Sequence, residues 1–369
     1  MLFRSVELDQ TNNNFATIEE RHIFSPTLVN LVHVSLTRPT ETQTQASPQI
    51  PSLVFGPGRP NGHVALTGGP NLGLGGPQGL APNWLVPTHY VEGDDIIWTH
   101  GSHSIKAGVS LERVQDNTTG LGTLGGTYTF PNLVGFLTAT PSLVSIPLPG
   151  NTNATRGLRT WFFAPYVQDE WKFSRRLTFN LGLRYEWASN PSEVNDLLHN
   201  VKLANGAVTG TGYVSTPNVY DQNITSRNFA PRIGFAYDLF GDHKTSIRGG
   251  YGIFYQLLQT KDIVQGLWGT PPYVVSTANN PSFPNPFAGT GPAAPLPGTG
   301  IGIYSGLAST PLNMQYNLNI QRDLSRGMVL TVGYTGSRGS HLLLTRDYNT
   351  PQLINRSEEH TSELQSLAY

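Results

Sequence analysis

Few residues in this sequence form a pattern that could support catalysis or hold a metal ion. His100 and His103 flank a short turn, but no third ligand lies near them, and zinc sites use at least three protein ligands. We expect both histidines to be solvated turn residues. The carboxylates of Asp94 and Asp95 would point to opposite faces of a strand, so they cannot act as a pair. The sequence therefore predicts no catalytic residue, no metal site and no cofactor.

Charged side chains that alternate with apolar ones are the remaining candidates for function. Arginines that face the inside of a barrel could line a path for polar or anionic solutes. The alternative is that these arginines form ion pairs with nearby carboxylates. The residues that we expect to line such a lumen are Arg184, Glu186, Arg232, Asp238 and Arg248.

Two aromatic and proline-rich segments, 268–273 and 281–287, are a further kind of candidate. Their rings could bind sugars or peptides by stacking. Ordinary packing between loops explains the same residues equally well, so both interpretations stay open.

The lumen candidates lie in segments where apolar and polar residues alternate with a period of two. In the clearest segment, LTFNLGLRYEW at 177–187, the odd-numbered residues are apolar or aromatic and the even-numbered ones are polar or glycine. A helix would scatter both sets around its circumference, whereas a strand separates them. The same alternation recurs at 229–239, 247–256, 312–321 and 328–334, and more weakly near 16–36 and 96–111.

The alternating segments occur in pairs that predict five hairpins, or about ten strands. Turn centres fall near residues 26, 102, 175, 242 and 325. Turns within a pair are only a few residues long. The connections between pairs, roughly 40–89, 118–158, 190–227 and 257–310, are rich in Gly, Pro and Asn.

Two strictly alternating classes of connection are typical of a membrane barrel. We therefore predict an all-β fold, an antiparallel up-and-down membrane β-barrel with short periplasmic turns and long extracellular loops. A soluble β-sandwich or propeller is the alternative, because its strands also alternate. Aromatic residues near strand ends are expected to form interfacial girdles, and these are Trp98, Trp171, Tyr185, Trp187, Tyr237, Tyr255 and Tyr334.

The composition agrees with this fold class. Only 13% of the 369 residues are charged, against about 25% in a typical soluble domain. Lys and Arg number 23 and Asp and Glu 24, so the net charge of −1 gives no basic field that would attract nucleic acid. The absence of Cys excludes disulfides and thiolate chemistry. We expect outer-membrane lipid, and no nucleic acid, as a partner.

One element resembles a known family. The segment YVQDEWKFSRRLTFNLGLRYE at 166–186 resembles strands of TonB-dependent outer-membrane receptors and transporters, especially the Oar-like group, and 228–255 and 312–339 are similar to the same family. The resemblance implies a Gram-negative outer-membrane importer with a barrel of 22 or more strands and an N-terminal plug. It also implies an inner-membrane TonB complex as partner and a scarce ligand whose identity the strands do not specify.

The sequence departs from this pattern at both ends. No plug or TonB box is recognisable before residue 16, and residues 356–366, RSEEHTSELQS, look like a translated sequencing adapter. We therefore expect residues 1–355 to be a partial barrel without a plug, residues 356–369 to be a non-native tail, and the fragment alone not to transport. A passive porin or surface adhesin barrel and a secreted β-rich binding module are the alternative functions.

Overall fold

The computed structural model describes residues 7–45, 50–68, 74–75, 83–120, 123–200, 203–204, 207–208, 213–220, 222–257, 270–288, 309–325 and 327–342. These residues form strands β1 (Glu7–Ser25), β2 (Leu28–Gln45), β3 (His63–Leu66), β4 (Leu74–Gly75), β5 (Asn83–His100), β6 (His103–Gly120), β7 (Thr127–Phe130), β8 (Leu143–Thr152), β9 (Thr155–Trp171), β10 (Leu177–Tyr185), β11 (Trp187–Ala188), β12 (Ser192–Glu193), β13 (His199–Asn200), β14 (Leu203–Ala204), β15 (Ala207–Val208), β16 (Val214–Ser215), β17 (Phe229–Asp238), β18 (Thr245–Tyr255), β19 (Tyr273–Asn279), β20 (Leu312–Ser325) and β21 (Met328–Ser340). A 3-10 turn (Pro51–Leu53) and a helix, α1 (Leu133–Leu137), complete the list. No helix in these ranges is long and apolar enough to cross a membrane.

One antiparallel sheet contains ten long strands in the order β1-β2-β5-β6-β9-β10-β17-β18-β20-β21, and the short strands β11 and β12 also pair with β9. The turns within its five hairpins lie at 26–27, 101–102, 172–176, 239–244 and between Ser325 and Met328. This confirms the predicted fold class and hairpin arrangement. Within the described residues no pairing joins β1 to β21, so the sheet is open.

Alternation along each strand gives the sheet one apolar and one polar face. Leu181 lies opposite Asp169 on one side and Ile233 on the other, whereas Gly182, the next residue, lies opposite Gln168 and Arg232. Since successive side chains point to opposite faces, the register places each set on its own side of the sheet. We call these the apolar face and the polar face.

The first five long strands have 17 to 19 residues each, more than the roughly 9–11 residues that a strand needs to cross a membrane. At about 3.3 Å per residue such a strand is roughly 55–60 Å long. An apolar band about 25 Å tall, crossed at about 45°, needs only about 35 Å. Because the hairpin turns are short, the extra length lies at the other end, where the long connections begin.

Three of the long connections fold together into a second sheet, in the order β19-β8-β7-β3-β4. Strands β3 and β7 pair in parallel and the other pairs are antiparallel. We call this sheet and its core the loop subdomain. Its buried core consists of Phe55, Val64, Leu66, Tyr128, Phe130, Val144 and Ile146.

The sequence analysis did not predict the loop subdomain and treated these connections only as long loops. Strands β3 and β7 have four residues each, too few to establish a period of two. Phe283 and Phe287 pack against this core. The segment 281–287 therefore takes part in packing between the long connections. Residues 268 and 269 of the other aromatic segment lie outside the described residues, and Tyr273 at its end is buried.

The buried core predicts that one substitution will destabilise the loop subdomain and leave the sheet of ten long strands folded. Phe130 is fully buried, and its ring lies 5.4 Å from that of Phe136 and 5.5 Å from that of Phe283. Phe130→Ala should cost the subdomain about 3–5 kcal/mol of stability because it leaves a cavity. Limited proteolysis and hydrogen exchange should show faster cleavage and exchange in the long connections.

Val134→Ala is the control, since Val134 is 68% exposed on α1. Neither variant should alter the heat-modifiable gel migration, which reports on the folding of the sheet that contains the ten long strands. Loss of that migration in Phe130→Ala would mean that the two sheets unfold together.

Candidate functional site

The polar face carries the residues with the most chemistry. One row across the sheet runs through Gln168, Gly182, Arg232, Gly252 and Gln315, each directly opposite the next. The neighbouring row contains Asn180, Gly234, Gly250 and Asn317. Amides and glycines therefore make up most of this surface, and arginines supply its charge.

On β5, β6, β9 and β10 several charges of the polar face form ion pairs with one another. Lys106 Nζ lies 3.3 Å from Asp95 Oδ2, and the hydroxyl of Tyr166 donates a hydrogen bond to Asp95 Oδ1. Arg184 Nε donates to Glu186 Oε1 at 2.9 Å. Arg184 and Glu186 therefore form an ion pair with each other, which was the alternative to lining a path for solutes.

The arginines on β17 and β18 have different surroundings. The guanidinium of Arg232 lies over the ring of Phe254 at 4.7 Å, and Arg248 Nε donates to Ser246 Oγ at 3.1 Å. Within the described part of the chain neither arginine has a carboxylate partner. Asp238 instead stabilises the turn between β17 and β18. Its carboxylate accepts hydrogen bonds from the backbone N–H groups of Gly241 at 3.0 Å and His243 at 3.1 Å.

The aromatic residues proposed as girdles lie on the apolar face. Trp98 and Trp171 are at the turn ends of β5 and β9, and Trp171 contacts Phe173 and Phe179 at ring distances of 5.0 and 6.0 Å. At the opposite ends of their strands lie Tyr185, Trp187 and Tyr255, with Tyr185 4.8 Å from the ring of Phe229 and Trp187 opposite Phe163. Tyr237 lies opposite Leu177 and Ile247, and Tyr334 lies opposite Leu318. Their interfacial role stays a prediction.

His103 and Asp169 form an ion-pair contact on the apolar face. His103 Nδ1 lies 2.7 Å from Asp169 Oδ2, and the His103 ring stacks on Trp171 at 5.3 Å. Asp169 sits opposite Ile105 and Leu181, and its Oδ1 atom is buried without a hydrogen-bond partner. His103 borders the turn and its side chain is 40% exposed, as expected, but it also contacts a partner that lies 66 residues away in the sequence.

No group of three or more His, Asp or Glu residues in the described ranges is arranged to hold a metal ion. This includes the turn that carries His100 and His103. His100 instead stacks on Trp98, with ring centroids 5.3 Å apart.

Sequence reasoning missed two buried arginines that tie the long connections together. Arg156 is fully buried, and its guanidinium donates to the carbonyl oxygens of Asn153, Thr155, Thr270 and Pro271 at 2.8–3.1 Å. Burial lowers its pKa to about 10. Arg59 donates to the carbonyl oxygens of Leu124 and Pro147 at 2.8 and 2.6 Å, and burial lowers its pKa as well. Nothing in the local sequence marks either arginine, since their acceptors come from distant connections.

An antiparallel sheet with one apolar and one polar face, flanked by aromatic rings and by long folded connections, is the architecture of a membrane-spanning β-protein. A family model described as "outer membrane beta barrel domain" matches residues 4–368, almost the whole chain. The chain belongs to this family, and its place is the outer membrane of a Gram-negative cell.

Solved structures of outer-membrane proteins are similar to the chain at low sequence identity. The outer membrane transporter YddB from Escherichia coli is 12% identical with a TM-score of 0.48, and the match covers 89% of this chain and 34% of that one. The ferric-catecholate import receptor Fiu from E. coli is 13% identical with a TM-score of 0.46, covering 89% and 40%. The ferric yersiniabactin uptake receptor FyuA from Yersinia pestis is 10% identical with a TM-score of 0.42, covering 91% and 37%.

The chain thus spans between a third and two fifths of the length of these three structures. A search of curated proteins found no significant match.

The pair on the apolar face generates a stability prediction. His103→Leu should lower the unfolding free energy by about 1–3 kcal/mol, because it leaves the Asp169 carboxylate unpaired in apolar surroundings. Replacing both residues by leucine should recover this loss. Urea unfolding of the chain in detergent micelles, followed by tryptophan fluorescence, measures both effects.

Glu170→Leu is the matched control, since Glu170 is the next residue and points to the opposite, polar face. It should not recover the loss caused by His103→Leu. An unchanged midpoint in His103→Leu alone would show that the pair contributes nothing to stability.

Proposed function

We propose that this chain is part of the barrel of an Oar-like TonB-dependent receptor, which takes up a scarce ligand across the outer membrane. The observation that carries the proposal is the two-faced sheet, which presents apolar residues to lipid and a row of amides and arginines to the interior. The segment 166–186, which resembles TonB-dependent receptors, forms the β9–β10 hairpin at the centre of this sheet.

The working receptor requires further strands in this proposal. Unpaired N–H and C=O groups at the edges of β1 and β21 would each cost several kcal/mol in lipid. We therefore propose that the described strands are part of a larger barrel and do not transport alone. Residues 356–369 are a foreign, adapter-derived tail in this proposal, and they lie outside the described residues.

Three partners follow from the proposal. Outer-membrane lipid contacts the apolar face, the inner-membrane TonB complex acts on the complete receptor, and a ligand of unspecified identity contacts the polar face and the loop subdomain. The proposed aromatic girdles would lie at the two lipid interfaces. They consist of Trp98, Trp171, Tyr185, Trp187, Tyr237, Tyr255 and Tyr334. The proposal assigns no enzymatic activity and no cofactor.

A binding test separates a TonB-dependent receptor from a passive porin or adhesin. The complete product of the gene, purified in detergent, should bind the purified periplasmic domain of TonB and should not let small sugars swell liposomes. A porin would allow swelling and bind no TonB domain. An adhesin would do neither, and either of these outcomes would contradict the proposal.

The two faces predict opposite effects of arginine at neighbouring positions. Ile233→Arg places a charge on the apolar face between Leu181 and Tyr251, where it should cost about 2–4 kcal/mol near the middle of the bilayer and reduce insertion. Asn180→Arg places the same charge on the polar face and should be tolerated. Outer-membrane fractionation with heat-modifiable gel migration measures insertion for both variants.

This comparison also tests the secreted binding module. A soluble module would appear in the aqueous fraction, and Ile233→Arg and Asn180→Arg would have similar effects. Equal insertion of both variants would refute the assignment of the apolar face to lipid.

A further inference from the structure

A groove lies on the polar face, over strands β10, β17, β18 and β20. It encloses about 290 Å³, close to the lower end of the 300–1,000 Å³ typical of ligand pockets and sufficient for one sugar ring. Glycines form its floor at Gly182, Gly234 and Gly250. The amides of Gln168, Asn180, Gln315 and Asn317 and the stacked side chains of Arg232 and Phe254 surround it.

The packing of the sheet does not require glycine at these three positions, whereas a Cβ atom added at Gly252, which also lines the groove, would lie 3.0 Å from the ring of Phe254. A Cβ atom added at Gly182 would lie 3.7 Å from Arg232 Cβ, and one added at Gly234 would lie 3.5 Å from the carbonyl oxygen of Gly249. At Gly250 the nearest atom would be Asn317 Nδ2, also at 3.5 Å. All three are ordinary van der Waals distances, so a side chain would fit within the sheet and would instead fill the groove. The glycines keep that space open.

Arg232 supplies a charge that no carboxylate among the described residues neutralises. Its guanidinium lies 4.7 Å above the ring of Phe254, which holds it at the groove. Arg184, on the next strand, is by contrast paired with Glu186 at 2.9 Å. A planar guanidinium binds a carboxylate through two parallel hydrogen bonds.

The amides around Arg232 fit a ligand rich in hydroxyl groups. An amide side chain offers both a carbonyl acceptor and N–H donors, and a hydroxyl group is likewise both donor and acceptor. Asn317 and Gln315 project to the same face of β20 and lie on the rows that contain Gly250 and Gly252. The groove therefore combines one fixed cation with an uncharged, hydrogen-bonding wall.

We propose that this groove binds an acidic carbohydrate, with the carboxylate of a uronic acid on Arg232 and ring hydroxyl groups on the amides of Gln315 and Asn317. The inference rests on the proposed function, since it takes the polar face as the ligand-facing wall. It adds the chemical class of the ligand and the residues that distinguish it from a neutral sugar.

Isothermal titration of the complete product of the gene in detergent micelles, with trigalacturonate as the probe, tests the proposal. Arg232→Gln should weaken binding at least about tenfold, the usual loss for a hydrogen bond to a charged group. Arg232→Lys should weaken it less, because it keeps the charge and loses the two-pronged geometry. Gly234→Leu should abolish binding by filling the groove.

Arg113→Gln is the matched control. Arg113 lies on β6 and stacks on Trp161 at 5.2 Å, away from the groove, so its loss should leave binding unchanged. Heat-modifiable migration shows that each variant is folded before its affinity is compared. Maltotriose, which has no carboxylate, should bind at least about tenfold more weakly than trigalacturonate.

Three results would overturn the inference. They are equal binding of maltotriose and trigalacturonate, full displacement of trigalacturonate by equimolar inorganic phosphate, and unchanged affinity in folded Arg232→Gln. None of them bears on binding of the TonB domain by the complete gene product, so failure of this inference and failure of the proposed function give different results.

Discussion

The requirement that every backbone N–H and C=O group within lipid has a partner underlies the whole structure. A strand cannot satisfy these groups alone, so each long strand is hydrogen-bonded to the next in an antiparallel ladder. The ladder in turn fixes the side chains, because residues that face each other across the sheet share one face. A membrane-spanning sheet with one apolar and one polar face therefore requires apolar and polar residues to alternate along most of each strand.

The distribution of charge follows from this arrangement and differs across the polar face. Asp95 with Lys106 and Arg184 with Glu186 cancel one another on β5, β6, β9 and β10. Arg232 and Arg248, on β17 and β18, lie among amides and glycines and have no such partners in the described residues. The low content of charged residues therefore does not make the polar face electrostatically uniform. The arginines without a carboxylate partner lie on β17 and β18, whereas ion pairs lie on the strands before them.

The sequence predicted the parts of this fold that depend on neighbouring residues. A hairpin is encoded by two alternating segments and the turn between them, and all five hairpin turns lie where the sequence predicted them. The loop subdomain could not be predicted in this way, because β8 pairs with β19 more than a hundred residues away and each short strand carries little pattern of its own. The contact between His103 and Asp169, and the carbonyl groups around Arg156, likewise join segments that only the folded chain brings together. Which arginines of the polar face find a carboxylate also depends on register rather than on local sequence.

The pairing of β19 with β8 joins connections that leave the main sheet at distant points. Strands β3 and β4 come from the connection after β2, β7 and β8 from the connection after β6, and β19 from the connection after β18. The second sheet therefore links three connections that leave the main sheet after β2, β6 and β18. Separating the last of these connections from the second requires breaking the ladder between β8 and β19.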